Sequence, residues 1–268
     1  VIVVKAGGNE GLDLGAVCAD VAELVHQGQQ LVLVHGGSHE TDVMSEKLGH
    51  PPRYVTSDSG YVSRYTDRQT LEIFVMVTAG RINKLAVERL QTLGVNAIGL
   101  SGLDGRLLEA ERKTALRIVE KGKRKVLRDD YSGRITHVNA ALLQALLSGG
   151  YTPVVAPLAI SREGEALNVD GDRVAAAISA SAQAQTLVIL SNVPGLLKEF
   201  PDEDSLIAHI PADRVEEFLD LYAKGRMKKK VLGATEALHS GVEQVVIADG
   251  REQRPLMRAL LGHGTVIK

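Results

Sequence analysis

Val1-Ile2-Val3-Val4-Lys5-Ala6-Gly7-Gly8 and Leu31-Val32-Leu33-Val34-His35-Gly36-Gly37-Ser38 repeat one device. Each is an apolar run that reads as a buried strand, stops at a glycine pair and leads into a helical pattern. Glycines let backbone N–H groups approach a ligand closely, and the helix starts behind them point free N–H groups the same way. Two such loops on adjacent parallel strands, one carrying a lysine, suit a dense cluster of negative charge. Phosphate chemistry is the first expectation.

The same alternation runs through most of the chain. Helical spacing is read over 11–27, 39–48, 67–93, 139–148, 172–182, 211–223 and 227–240. Strands are read ending near Ile98, over 153–156, from Thr186 to Leu190 and from Gln244 to Ala248. Residues 104–138 differ: short charged runs separated by Lys121-Gly122 and Ser132-Gly133 read as β-hairpins outside the sheet, and 160–168 as another. The pattern predicts a three-layer α/β/α sandwich with a mostly parallel central sheet, its ligands gathered at the carboxyl ends of the strands. The hairpins divide the chain into an N-terminal lobe, 1–150, and a C-terminal lobe, 151–268.

Composition narrows the classes. A net charge of −2 over 268 residues gives no general reason to bind nucleic acid or a membrane surface. The single cysteine, Cys18, excludes an internal disulfide and a Cys-based zinc cluster, and its helical setting reads as a buried thiol. No apolar stretch reaches the roughly 20 residues of a membrane span. With a core strand at its start and no signal-peptide pattern, the chain is expected in the cytoplasm.

Several familiar sites are missing. There is no GxxxxGK[ST] loop and no GxGxxG. His39-Glu40 lacks a second histidine, because Val43 stands there, and Gly99-Leu100-Ser101-Gly102-Leu103 fails as a hydrolase elbow at its last position. What remains has two readings at each point. Lys5 is a snorkelling strand terminus or a charge at the sheet's carboxyl edge. Asp172, in Asn168-Val169-Asp170-Gly171-Asp172, is a helix N-cap or a carboxylate orienting active-site lysines. Ser191-Asn192-Val193-Pro194-Gly195-Leu196 is a turn or a nucleotide cradle. In Gly225-Arg226-Met227-Lys228-Lys229-Lys230, three lysines in a first helical turn oppose the helix dipole, a cost that bound phosphate would relieve. Arg64 is a surface arginine or a clamp on a substrate carboxylate. Lys121, Lys123, Arg124, Lys125 and Arg128 protect a sheet edge or dock an acidic partner.

In order, KxGG at 5–8, HGG at 35–37, the arginine at 64, NxxxD at 168–172, the 191–196 turn and GxMxxK at 225–230 resemble the amino acid kinase superfamily, in its acetylglutamate kinase branch. The likeness runs from Lys5 to the last strand. Gly49-His50-Pro51-Pro52-Arg53, Val62 through Phe74, Ala97 through Arg106 and Leu190 through Leu197 look like a subgroup of lysine biosynthesis. Its members phosphorylate 2-aminoadipate held on a small acidic amino-group carrier protein. Ser38, Asp170 and Arg173 depart from the acetylglutamate kinase pattern around the substrate.

The resemblance implies transfer of a phosphoryl group from MgATP to a side-chain carboxylate. It makes Lys5 and Lys230 the charges that stabilise transfer, with Asp172 holding them. Gly8, Gly36 and Gly37 supply N–H groups, and Arg64 and Asn168 grip the substrate. Asn192, Val193, Gly195, Leu196, Leu197, Lys224 and Met227 border ATP. Mg²⁺ comes with the nucleotide, without direct protein ligands. A homodimer is also implied. The alternatives are an acetylglutamate or carrier-bound glutamate kinase of arginine synthesis, and a nucleotide-binding sensor or storage protein of the same fold.

Overall fold

The computed structural model describes residues 1–57, 60, 62–120 and 123–268. The chain starts β1 (Ile2–Ala6), α1 (Leu14–His26), β2 (Leu31–His35), α2 (Ser38–Lys47). Then come the short strands β3 (Tyr54–Ser57) and β4 (Val62–Arg64), and α3 (Arg68–Val75). A π-helical turn, Met76–Ile82, joins α3 to α4 (Asn83–Thr92). After β5 (Ala97–Ser101) come β6 (Leu108–Arg112), β7 (Leu116–Glu120), β8 (Lys123–Leu127) and β9 (Gly133–Val138). Next are α5 (Ala140–Ser148), β10 (Thr152–Ala156), β11 (Leu158–Ile160), β12 (Ala166–Asn168), α6 (Gly171–Ser181) and β13 (Thr186–Ser191). The chain closes with β14 (His209–Ile210), α7 (Val215–Tyr222), α8 (Arg226–His239), β15 (Gln244–Asp249), α9 (Pro255–Leu260) and β16 (Thr265–Ile267).

The central sheet has the order β14-β16-β15-β13-β1-β2-β10-β5. It is parallel except where β16 runs against β15. Its strands read as unbroken apolar runs because both faces are covered. Val3, Val32, Val34, Leu187 and Ile189 face α5, α6, α7 and α8 on one side. Ile2, Val4, Leu31, Leu33 and Val188 face α1, α4 and α9 on the other. These are the three layers that the alternation of elements predicts. Cys18 is buried in the second of these cores, and burial pushes its thiol up to about 11. No helix among the described residues is long and apolar enough to cross a membrane.

Two smaller sheets, β12-β11-β6-β9 and β4-β3-β7-β8, rise outside the central one, as the hairpin reading of 104–138 expects. β10 follows residue 150 yet lies between β2 and β5, so the central sheet runs through both halves of the chain. The segment 67–93 is not one regular helix. Its π turn brings Thr78 and Ile82 against Gly37, where a Cβ would lie 2.7 Å from Thr78 Cγ2 and 2.8 Å from Ile82 Cδ1.

Candidate active site

β1 and β2 are in register, Lys5 beside Val34 and Ala6 beside His35, so their glycine loops leave the sheet side by side. The loops touch. A Cβ on Gly8 would collide with the backbone nitrogen of Gly37, and one on Gly36 with the backbone of Gly8. Ser38 Oγ and the His39 N–H both donate to the Gly8 carbonyl, each at 2.9 Å, and lock the pair. Ser38 thus has a structural part that the sequence marked only as a departure.

Behind the loops sits a buried ionic trio. Lys5 Nζ lies 2.9 Å from Asp172 Oδ1, and Lys230 Nζ lies 3.1 Å from Asp172 Oδ2. All three side chains are nearly inaccessible. Burial alone would raise the Asp172 carboxyl, but the Lys230 and Lys5 ammonium groups hold it far below the ordinary carboxylate range. For Lys5, burial is outweighed by the attraction of Asp172 and Asp170, and its pKa rises. For Lys230, burial together with repulsion from Lys5 wins, and its pKa falls. With both lysines protonated the trio carries one net positive charge in a nearly buried place. Asp170, not Asp172, caps α6: its Oδ1 accepts from the Asp172 and Arg173 N–H groups. That leaves Asp172 in the first helical turn, free to face the lysines.

The chamber in front of the trio, about 260 Å³, is bordered by Lys5, Gly8, Gly37, Arg64, Asn168 and Lys230, among others. One expectation is corrected: Gly36 cannot offer its N–H, which donates to Ala6 O at 2.8 Å as a continuation of the sheet. The N–H groups of Gly8 and Gly37 have no acceptor among the described residues. Arg64 is not a surface arginine. Its Nη2 donates to Asp42 Oδ1 at 2.8 Å and to the Ser38 carbonyl at 2.7 Å, and the guanidinium lies over Tyr54 and Phe74. Tyr54 OH also donates to Asp42, at 2.7 Å. Asp42 was missed in the sequence; its spacing of four from Ser38, on one helix face, was the available signal. Asn168 Nδ2 donates to Thr66 Oγ1 at 3.0 Å, which ties the end of β12 to the segment after Arg64.

The 191–197 turn leaves β13 beside the first glycine loop, and Asn9 Nδ2 reaches Asn192 Oδ1 at 3.3 Å. Asn192 and Val193 are half-exposed along this edge. Leu196 and Leu197 are buried, and the Leu196 N–H donates to Thr265 Oγ1 at 2.8 Å, so these two side chains serve the core. Gly195 is needed where it stands, because a Cβ there would collide with Thr265. Gly225 (φ +54) precedes α8, Lys224 is exposed and Met227 packs on the core. Lys123, Arg124, Lys125 and Arg128 are exposed on or just beyond β8, an outer strand of its sheet. Lys121 and Gly122 lie outside the described residues. Among the described residues no group of three or more His, Cys, Asp or Glu could hold a metal ion. Both Asp172 oxygens are taken by lysines.

Comparison with known proteins agrees with this geometry. The model of the Amino acid kinase family matches residues 1–249. A LysW-aminoadipate kinase of Deinococcus radiodurans is 58% identical over 99% of this chain and 91% of its own length. A LysW-aminoadipate kinase of Thermus thermophilus is 56% identical over 100% of both chains. Among solved structures, N-acetylglutamate synthase from Neisseria gonorrhoeae, complexed with coenzyme A and N-acetyl-glutamate, superposes with a TM-score of 0.80 at 26% identity. That match covers 99% of this chain but 58% of the synthase. Carbamate kinase from Giardia lamblia bound to AMP-PNP shares the fold at a TM-score of 0.68 and 15% identity, over 99% of this chain and 97% of its own. The chain belongs to the amino acid kinase family.

Proposed function

We propose that the chain transfers a phosphoryl group from MgATP to the side-chain carboxylate of L-2-aminoadipate held on an acidic amino-group carrier protein, giving an acyl phosphate for lysine synthesis. The observation that carries this reading is identity above half, along essentially the whole chain, with two LysW-aminoadipate kinases.

The chemistry suits the residues. The accepting carboxylate is ionised at neutral pH, so no general base is needed. The work is to bring two anions together in line and to offset the charge of the transferring group. Lys5 and Lys230 supply that charge from the two sides of Asp172, and the Gly8 and Gly37 N–H groups supply donors. Arg64, oriented by Asp42, and Asn168 hold the acceptor. The Asn192–Leu197 turn, with Lys224 and Met227, borders the nucleotide. Mg²⁺ bound to the phosphates neutralises part of their charge. Use of MgATP fits a cytoplasmic enzyme, and a homodimer is the assembly we propose.

A carrier needs a path. A groove of about 990 Å³ meets the chamber at Ser63, Lys113, Gly133, Asp170 and Lys229. Its walls carry Lys113, Arg117, Arg134, Arg173 and Lys229 against the acidic Asp170 and Glu236. Asp170 and Arg173, two of the departures from the acetylglutamate kinase pattern, stand at its entrance. An acidic tail bearing the substrate suits such walls.

The test offers MgATP with carrier-bound aminoadipate, carrier-bound glutamate or free acetylglutamate, and traps acyl phosphate with hydroxylamine. Trapping on carrier-bound aminoadipate is expected. Preferential trapping on free acetylglutamate would overturn the proposal.

A further inference from the structure

The phosphoryl-transfer site leaves one group unexplained: His35, completely buried directly behind the second glycine loop. Its Nδ1 is 2.8 Å from the Gly36 carbonyl oxygen, and its Nε2 is 3.2 Å from Asn83 Nδ2. Asn83 is the first residue of α4, where the π turn ends. Its Nδ2 also donates to Val154 O at 2.9 Å and Leu100 O at 3.3 Å, on β10 and β5.

These partners fix the proton. Backbone carbonyls only accept, so the Asn83 amide must turn its nitrogen toward them and therefore toward His35 Nε2. Nε2 is then the lone-pair nitrogen, and the ring proton sits on Nδ1, donated to Gly36 O. Burial pushes the imidazole down to about 4, aided by the Lys5 charge nearby, so the ring is neutral under ordinary conditions. Among the described residues the Asn83 Oδ1 has no partner, and it lies where a Cβ on residue 99 would be; Gly99 leaves it room.

The consequence lies in one peptide plane. The Gly36 C=O and the Gly37 N–H belong to the same trans peptide and point in opposite directions. Holding the oxygen toward His35 aims the Gly37 N–H away from it, and Gly37 borders the chamber. Thr78 and Ile82 of the π turn fill the space that a Cβ on Gly37 would need. We infer that His35 is a positioning residue: as the neutral Nδ1–H imidazole, steadied by Asn83, it sets the direction of the Gly37 N–H that meets the reacting anions. The inference rests on the glycine loops being the phosphoryl site, and not on which carboxylate is accepted.

Nitrogen-15 NMR of the histidine-labelled full chain tests the tautomer without any substrate. The His35 Nδ1 is expected protonated and Nε2 unprotonated from about pH 5.5 to about pH 8.5. The opposite tautomer, or titration near the free value, would overturn the inference. In parallel, ADP release is measured with whichever acceptor the wild type uses. His35→Leu is expected to lower kcat about 100-fold with the KM for ATP little changed. His35→Asn, which keeps a donor near the Nδ1 position, is expected to recover at least about tenfold of that loss. If His35→Asn is no better than His35→Leu, or if both keep near-normal kcat, the positioning role is wrong. Should His35→Leu not fold, the His35→Asn and Asn83→Leu variants carry the kinetic arm. Asn83→Leu is then expected to cost about tenfold in kcat and to mix the tautomers, and normal kcat in it contradicts the role.

Discussion

Asp172 stands nearly buried between two ammonium groups, and that residue sets the electrostatics of the trio. Replacing it with asparagine leaves Lys5 and Lys230 facing each other without a counter-charge. Breaking a buried ionic contact in this way costs about 3–5 kcal/mol, so Asp172→Asn is expected to lower chemical stability in urea by that order as well as activity. A small stability change would mean that the lysines are not jointly charged. His35 gives a separate signature. Its folded pKa, about 4, lies below the ordinary 6.5, so the unfolded chain binds the extra proton between those values. Stability must then fall as pH drops through that window, by about 3 kcal/mol from this residue. Asp20, whose pKa burial raises, acts in the opposite direction above the ordinary Asp value. Comparing wild type with His35→Asn isolates the histidine: the variant's stability should be flatter from pH 6.5 down to about 4.

At the scale of elements, the site depends on two loops close enough that neither tolerates a side chain at the contact. Gly8→Ala would push its methyl into the Gly37 nitrogen and spread β1 and β2 at their carboxyl ends. Turnover in this variant is expected to fall about 100-fold or more, as for other displaced anion donors, with a lowered Tm; unchanged turnover would show that the loops do not act together. Much of this was legible in the sequence. Strands buried on both faces must be apolar throughout, so Val1–Val4 and Leu31–Val34 declare themselves, and the glycines mark where they end. The pairing of Lys5 with Lys230 was legible only through motif order, because 225 positions separate them in the chain. Asn83 was not legible, and Asp42 offered only its spacing from Ser38. A polar residue within a helical pattern looks like part of a solvent face until the fold puts carbonyls or an arginine against it. The π turn was hidden for a related reason: one widened turn barely disturbs an apolar stripe. The inward turn of the Leu196 and Leu197 side chains was not legible, because a turn's sequence does not say which side chains face the core.

At the scale of the molecule, each half of the chain contributes one of the two lysines: Lys5 ends a strand of the first half, and Lys230 lies in the first turns of a helix of the second. On the proposed function, the basic groove beside them and the exposed basic strand β8 would give an acidic carrier a charged approach. Reversing Lys123, Arg124 and Lys125 to glutamate is expected to raise the KM for carrier-bound substrate about tenfold at low salt and to weaken its salt dependence. Unchanged KM and salt dependence would remove β8 from the docking surface. A homodimer is checked by light scattering of the purified chain, with twice the 28.7 kDa chain mass expected. The proposed mechanism needs both halves to meet at the transferring group. The most direct measurement is the single-turnover rate of phosphoryl transfer from MgATP to carrier-bound aminoadipate in wild type and Lys230→Ala, with ATP affinity measured by calorimetry on the same samples. The chemical step is expected to slow by about 100-fold or more while ATP affinity changes only a few-fold. A near-normal rate in Lys230→Ala, or a loss confined to ATP affinity, would contradict it.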